Sequence, residues 1–554
     1  MTEKRAFHKS RTFYFASGIA LIILTAGFFI WRNYKYKLVN KKLDTLVTAK
    51  SKGLYEVNYN NLVIDEVLGN ISAENIEMIP DTQVYQNLVR QNQAPENLFF
   101  IRIPKLLISG VKTPKALLNK EISAHIIRIE SAEIELQTGK GNKKNKPDIG
   151  ALLNSAIYRQ LLGNLKSITA DSIVLENAAL TLLDLDTKAI HYKLGGLSIR
   201  LAAIAIDSLH ENDSTRIIFS KEISVHVHRV DIPQKNKIYD LQVTDLDFNS
   251  QTRALHTGQL RLIPRLSETA FARSNHFAKD RFDIHAGSIE IKNINRSALL
   301  DQQLVADTIR ISDGSFRIFR DKSYPHDSVD RTHDYPQEAI MRLSLPVNIK
   351  TVIIRDSYIE YKEKNDKSDS SGKVSFFHVQ ANLDNVTNMP EIIRRNNRMI
   401  LNFNASFLNA TPFSANIRMR LNDHSGRFQL DAKMGGLSAS DLNPLLKPMA
   451  LAELEKGKIT GLRYHLDATN TRGIGKLTLT YENLSVKLLK KDDDKNKYKT
   501  KLLPTLAAGI VLKKSNPQNG EMRPGNVDYN RDVHRSIFNL MWKSLLSGIK
   551  KVAL

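Results

Sequence analysis

The residues to weigh first are those whose types and spacing could do chemistry. His226 and His228 in SVHVHRV lie two apart on one strand face, a separation that two ligands of a metal can share. No third histidine or carboxylate stands at motif spacing beside them, so the expected reading is a solvent-facing pair. GKGNKKNK, Gly139 to Lys146, mixes glycine and lysine as phosphate-binding loops do, but it lacks the GxxxxGK[ST] spacing and opens no helix. Asp492, Asp493 and Asp494 miss the alternate spacing and following glycine of a calcium loop and read as a solvated run among Lys490, Lys491 and Lys495. GxSxG, HExxH and GxGxxG do not occur, and the carboxylates are scattered. The sequence therefore assigns no catalytic, cofactor-binding or metal-binding residue, and the chain does not read as an enzyme.

Composition turns the question toward binding. With 42% hydrophobic and 25% charged residues the 554-residue chain has the make-up of a folded protein. A formal charge of +22 favours an anionic partner, whether lipid headgroup, glycolipid or nucleic acid. Nucleic acid fits poorly, because the basic residues are spread along the chain and aromatic residues make up only 7%. Cysteine is absent, which excludes disulfides and thiolate metal sites.

The elements that would position a binding surface start at the N-terminus. Thr12 to Trp31 carries no charge over 20 residues, enough to cross ~30 Å of hydrocarbon as a helix. Ile30-Trp31-Arg32 replaces the small-residue site of a cleaved signal peptide, so an uncleaved anchor is expected. Basic residues flank the span on both sides. Long downstream domains translocate regardless of such charge, so the expected layout is a cytoplasmic tail at 1–11, an anchor at 12–31, a stalk at 32–50 and an exported remainder.

Beyond the stalk the chain alternates apolar and polar residues between Asn, Asp, Ser and Gly, the signature of strands. One ten-residue pattern recurs: IRIESAEIEL, IVLENAALTL, IRISDGSFRI and VIIRDSYIEY. Its first, third, eighth and tenth places are apolar: Ile127, Ile129, Ile134, Leu136; Ile173, Leu175, Leu180, Leu182; Ile309, Ile311, Phe316, Ile318; Val352, Ile354, Ile359, Tyr361. The middle four residues are turn-formers, so each copy is expected to be two strand segments with one apolar face. The starts lie 46, 136 and 43 residues apart, which suggests stacked units of about 45 residues. The sixteen residues either line an open groove or pack a closed core.

Helices are expected near Asp81 (DTQVYQNLVRQNQ), from Gly150 (GALLNSAIYRQLLGNL) and from Ala439 (ASDLNPLLKPMALAELEKG), the last broken by Pro444 and Pro448. The chain ends on RSIFNLMWKSLLSGIKKVAL. At 100° per residue Phe538, Met541, Trp542, Leu545, Ile549 and Val552 form one stripe, with Lys543, Ser547, Lys550 and Lys551 opposite. Gly548 costs this helix about 1 kcal/mol relative to alanine, so it needs a surface to lie on. That surface is either the open end of a sheet or an anionic membrane leaflet.

An N-terminal span, strand repeats such as LPVNIKTVIIRDSYIEY, and the segment from Gly426 to Leu489 with its Asp441-Leu442-Asn443-Pro444 and Lys456-Gly457-Lys458-Ile459 turns together resemble the AsmA-like family of bacterial envelope proteins, relatives of TamB and YhdP. The ending from Asn516 is similar to that of Bacteroidota members. The resemblance implies a mainly β fold: an elongated, curved, repetitive β-groove (β-taco) with an N-terminal transmembrane helix, a few inserted helices and a C-terminal amphipathic helix. In those terms 51–425 is the groove, 426–530 the AsmA-like β module and 531–554 the terminal helix. It also implies an inner-membrane protein with most of its chain in the periplasm of a Gram-negative bacterium. There it would hold phospholipid acyl chains and serve lipid transport between inner and outer membranes or outer-membrane homeostasis, without a cofactor. An outer-membrane protein could be a further partner; a structural or assembly scaffold with protein partners on the apolar sheet is the other expectation. Asp171-Ser172-Ile173 and Asp307-Thr308-Ile309 resemble the Asp-Ser/Thr-apolar acceptor of the Bacteroidota O-glycosylation system, which would place a glycan on Ser172 or Thr308; the alternative is an ordinary turn-to-strand transition.

Overall fold

The structure, a computed structural model, describes residues 51–554 apart from segments 113–120, 140–165, 234–237, 366–369, 493–496 and 501–512 and positions 66, 96, 211, 212, 214 and 218. It is mainly β, with strands paired in mixed parallel and antiparallel order. The expected anchor, stalk and Gly150 helix lie outside the described residues. Among the described residues no helix is long and apolar enough to cross a membrane.

The four copies of the ten-residue pattern meet in pairs. Residues Glu121–Glu130 and Glu133–Thr138 both run parallel to Ser167–Asp184, placing Ile127, Ile129, Ile134 and Leu136 beside Ile173, Leu175, Leu180 and Leu182. Leu304–Ser312 and Ser315–Asp321 run parallel to Val347–Lys364 in the same way, so Ile309, Ile311, Phe316 and Ile318 neighbour Val352, Ile354, Ile359 and Tyr361. The spacings of 46 and 43 residues are thus the sequence distance between register partners.

The middle of the pattern does not reverse the chain, as a turn would; both halves keep one parallel offset, so the strand runs through a kink. The fifth residue of every copy takes a left-handed backbone: Ser131 at φ 53°, Asn177 at 51°, Asp313 at 53° and Asp356 at 48°. Asn and Asp tolerate that region better than other side chains, which explains what the polar centre of the repeat is for. The antiparallel partners answer the kink with register shifts, at Gly196 (φ 65°) beside Ser167–Asp184 and at His378 (φ 51°) beside Val347–Lys364. A Cβ on Gly196 would stand 2.7 Å from that of His228, so only glycine lets the strands approach there.

The chain divides into two compact units: residues up to Gln259 with Lys292–Gln303, and Leu260–Ile291 with Leu304–Leu554. The sequence division at 425/426 falls inside the second unit, where Thr411–Arg420 pairs directly with Phe428–Met434. In the first unit the apolar faces form one core from Ile71 to Val227. In the second, a core gathers around Phe428, Leu466, Leu477 and Tyr481 under the C-terminal helix.

Two of the expected helices are described. Thr82–Arg90 starts at Asp81, whose carboxylate accepts from the Gln83 and Val84 amides at 2.7 and 3.0 Å. The other differs from expectation. Asn443–Ala450 begins with Pro444 in its first turn and continues through Pro448 to a left-handed Leu451. AELEKG then opens a strand, Ala452–Ala468, because its residues pair with Arg472–Asp492.

Candidate functional site

The eight repeat residues of the first unit are core, which corrects the groove-lining expectation for them. Ile127, Ile129, Ile134 and Leu136 are 0–5% exposed, and Ile173, Leu175, Leu180 and Leu182 are 2–9% exposed. Burial slackens toward the later strands, as along the row Ile129, Leu175, Ile199, Val225, Phe248, whose last two members are half-buried. A cavity of about 410 Å³ opens there.

The eight repeat residues of the second unit behave differently: Ile309, Ile311, Phe316, Ile318, Val352, Ile354, Ile359 and Tyr361 are all half-buried rather than buried. Register extends them into rows. Leu262, Ile284, Phe316, Ile359, Phe376 and Phe407 follow one another across six strands, all half-buried. A second row runs Ile309, Val352, Leu383, Leu401, Ile417 and closes at Leu430 and Leu466, which are 6% and 0% exposed. Phe376 anchors an aromatic cluster, with Phe403, Phe407 and Phe413 at 5.5, 5.5 and 5.2 Å between ring centroids. The sequence reading missed these phenylalanines, although Leu401, Phe403, Ala405 and Phe407 alternate with period two.

The closed end is made by the C-terminal helix, Ile537–Ala553, capped by Ser536. It packs on Arg472–Asp492 and Gly525–Asn530 through Ile537, Leu540, Ser544, Gly548 and Val552. That seam is rotated from the stripe expected from sequence: of the six stripe residues only Val552 is fully buried, Met541, Leu545 and Ile549 are half-buried, and Phe538 and Trp542 are 66% and 39% exposed. The reason is close approach. A Cβ on Gly548 would meet Val527 Cγ2 at 2.9 Å and Leu477 Cβ at 3.0 Å, and one on Gly473 would meet Ser544 Oγ at 2.6 Å. Tyr464 Oη donates to the Met541 carbonyl at 3.3 Å and Tyr481 Oη to that of Val552 at 3.4 Å, fixing the helix at both ends. Burial holds the Tyr464 phenol above its ordinary pKa. The helix thus lies on these two strands with Phe538 and Trp542 outward.

Toward one rim the open face becomes polar. Tyr361 Oη donates to Glu363 at 2.7 Å, and Arg320 holds Asp280 through two bonds of 2.6 and 2.8 Å. Burial first, then Glu363, raises the Tyr361 pKa. On the opposite strand face, Tyr358, raised to about 12 by burial and its bond to Glu360, borders a polar cleft with Arg281, Arg317, Lys362 and Lys373.

The histidines fall where the sequence reading put them. His226 and His228 face outward, at 2.7 and 2.9 Å from Asp247 and Asp245 on the neighbouring strand. Among the described residues no group of His, Asp or Glu is arranged to hold a metal. Ser172 is 7% exposed in mid-strand, between Ile126 and Ala202, so the folded chain does not offer it for glycosylation; Thr308 is half-buried beside Thr351.

No family model matches the chain, and no curated protein matches it. The likeness to AsmA-like proteins therefore rests on the quoted residues alone.

Proposed function

We propose that this protein is a membrane-anchored envelope protein that holds phospholipid acyl chains on the open apolar face of its second unit, in a groove-like sheet. In that role it contributes to lipid transport between inner and outer membranes. The observation that carries this reading is the continuous apolar row from Leu262 to Phe407, whose members all keep some exposure. Six strands at ~4.8 Å make the row about 24 Å long, more than the half-thickness of a ~30 Å hydrocarbon core. One acyl chain can lie along it. Contiguous apolar surface of this kind is rare on a soluble protein unless something covers it. The uncharged Thr12 to Trp31 segment and the charge of +22 support a membrane setting with anionic surfaces nearby.

The test is to extract the full chain from membranes in mild detergent and identify bound lipid by mass spectrometry. Phospholipid is expected in the wild type and should be lost from a folded Ile359→Asp variant. A photocrosslinker at Phe376 should capture lipid. A wild-type sample without lipid, or a crosslink to one defined protein in its place, would overturn the reading and favour a scaffold.

A further inference from the structure

The open face carries a polarity gradient, and it ends in a site for one kind of headgroup. Three successive rows on the same face can be read across the strands that start at Asp280, end at Asp321 and Lys364, and start at Ser371. The first is Ile284, Phe316, Ile359, Phe376; the second is Phe282, Ile318, Tyr361, Val374; the third is Asp280, Arg320, Glu363, Gly372. Residues two apart on a strand share a face, so an entirely apolar row gives way within about 7 Å to a mixed row and within about 14 Å to a charged one. That is the profile of a phospholipid, from acyl chain through ester region to headgroup.

The charged row is built rather than merely solvated. Glu363 is 4% exposed, a burial that an ionised carboxylate tolerates only with partners. It has two: Tyr361 Oη and Lys322 Nζ, each at 2.7 Å. Met449 on the Asn443–Ala450 helix closes its other side, since a Cβ on Gly372 would stand 2.4 Å from Met449 Cγ. Arg320 spends its Nε and Nη2 on Asp280, leaving Nη1 donors for another acceptor. Lys322 is the movable member: its side chain is 33% exposed, on a flexible stem, against 6% for that of Glu363.

Resting on the acyl-chain reading above, we infer that this rim binds the zwitterionic headgroup of an ammonium-bearing phospholipid. The phosphate would bind Arg320 and Lys322, and the ammonium would bind Glu363 with Asp280. The charge balance argues for a zwitterion. Two cations and two carboxylates already neutralise each other, so a purely anionic headgroup would have to leave a buried carboxylate unpaired. A zwitterion exchanges partners with both signs at once. His326 adds no charge to compete: burial, together with Arg535, Arg320 and Lys322, lowers its pKa to about 4.

The experiment compares lipid classes retained by full-length wild type, Glu363→Gln and Lys322→Gln, extracted in mild detergent from a membrane holding both ammonium-bearing and net anionic phospholipids. Wild type should be enriched in the ammonium-bearing class relative to the bulk membrane. The two variants should shift in opposite directions. E363Q frees Lys322 and should move the ratio about tenfold toward anionic lipid, while K322Q frees Glu363 and should raise the ammonium-bearing class. General loosening of the fold would move both the same way. Lys322 is exposed enough that K322Q keeps the test open if E363Q does not fold. Lipid retained at the bulk ratio in all three proteins overturns the headgroup site and leaves the acyl-chain reading intact; no lipid in wild type overturns both.

Discussion

Replacing Gly548 by alanine sets two effects of opposite sign against each other. In a free helix the change is stabilising by about 1 kcal/mol, because glycine is the costlier helix residue. In this fold the added methyl meets Val527 Cγ2 at 2.9 Å, Leu477 Cβ at 3.0 Å and Leu477 Cδ2 at 3.2 Å. The first lies closer than real Cβ atoms come, and its neighbours belong to a buried seam: Val527 is 2% and Leu477 1% exposed. Overpacking of this kind costs about 1 to 3 kcal/mol, so the packed helix should lose on balance about 1 kcal/mol. Global unfolding of a long, two-unit chain is a poor readout, since it need not be two-state. Hydrogen exchange of the Ile537–Ala553 amides reports the docked helix directly. G548A should speed exchange across this helix several-fold, and Gly548→Leu should release it, while amides of Ser167–Asp184 stay protected. Slower exchange in G548A would refute the packing argument, because it would mean that helix propensity decides and that the seam is not tight.

Other substitutions test the contrast between closed and open faces. Ile129→Ala in the closed core should destabilise by about 2 to 4 kcal/mol, whereas Ile359→Ala on the half-buried face should cost under about 1.5 kcal/mol, measured by native-state hydrogen exchange of the amides on the strands around each site. Asp81→Ala removes both cap bonds of the Thr82–Arg90 helix and should cost about 1 kcal/mol, visible as faster exchange in its first turn. His326 predicts a pH dependence. Its folded pKa, about 4, lies below the ordinary histidine value of 6.5, so the unfolded chain binds more protons between those values. Stability should therefore fall as pH drops from 6.5 toward 4. His326→Gln should flatten that part of a melting-temperature profile; an unchanged slope would assign it to other groups.

The fold was legible where two constraints coincided. Alternation and the repeated ten-residue pattern gave strands and the correct faces, because a strand buried on one side must alternate and neighbouring copies must match. The kink was misread as a turn: Asn, Asp and Ser serve both, and only pairing on either side distinguishes them. Burial was not legible at all. Ile134 and Ile359 occupy the same place in the repeat, yet one is buried and the other half-buried. The difference lies in contacts with chain distant in sequence, which the ten-residue pattern does not encode. The terminal helix failed for a related reason. Ranking residues by hydrophobicity picks the stripe through Phe538 and Trp542, but close packing selects small residues, so Ser544 and Gly548 define the seam.

The repeat therefore specifies a scaffold rather than a ligand. The same kinked, parallel pair is used twice with the same register logic, once under a closed core and once beneath an open face. In the second unit large aromatic residues gather on one half-buried side: Phe316, Phe376, Phe403, Phe407 and Phe413. A core that merely lacked a cover would lose stability from such exposure, and replacement by smaller or polar residues would cost little there. Keeping phenylalanine at these positions makes physical sense when an apolar occupant completes the packing. The charged row at the rim fits the same logic, because Glu363 and Arg320 set the limit beyond which that occupant cannot be hydrocarbon. Binding and headgroup selection would then be separable properties of one strand face, the first set by Ile359 and Phe376 and the second by Glu363 and Lys322.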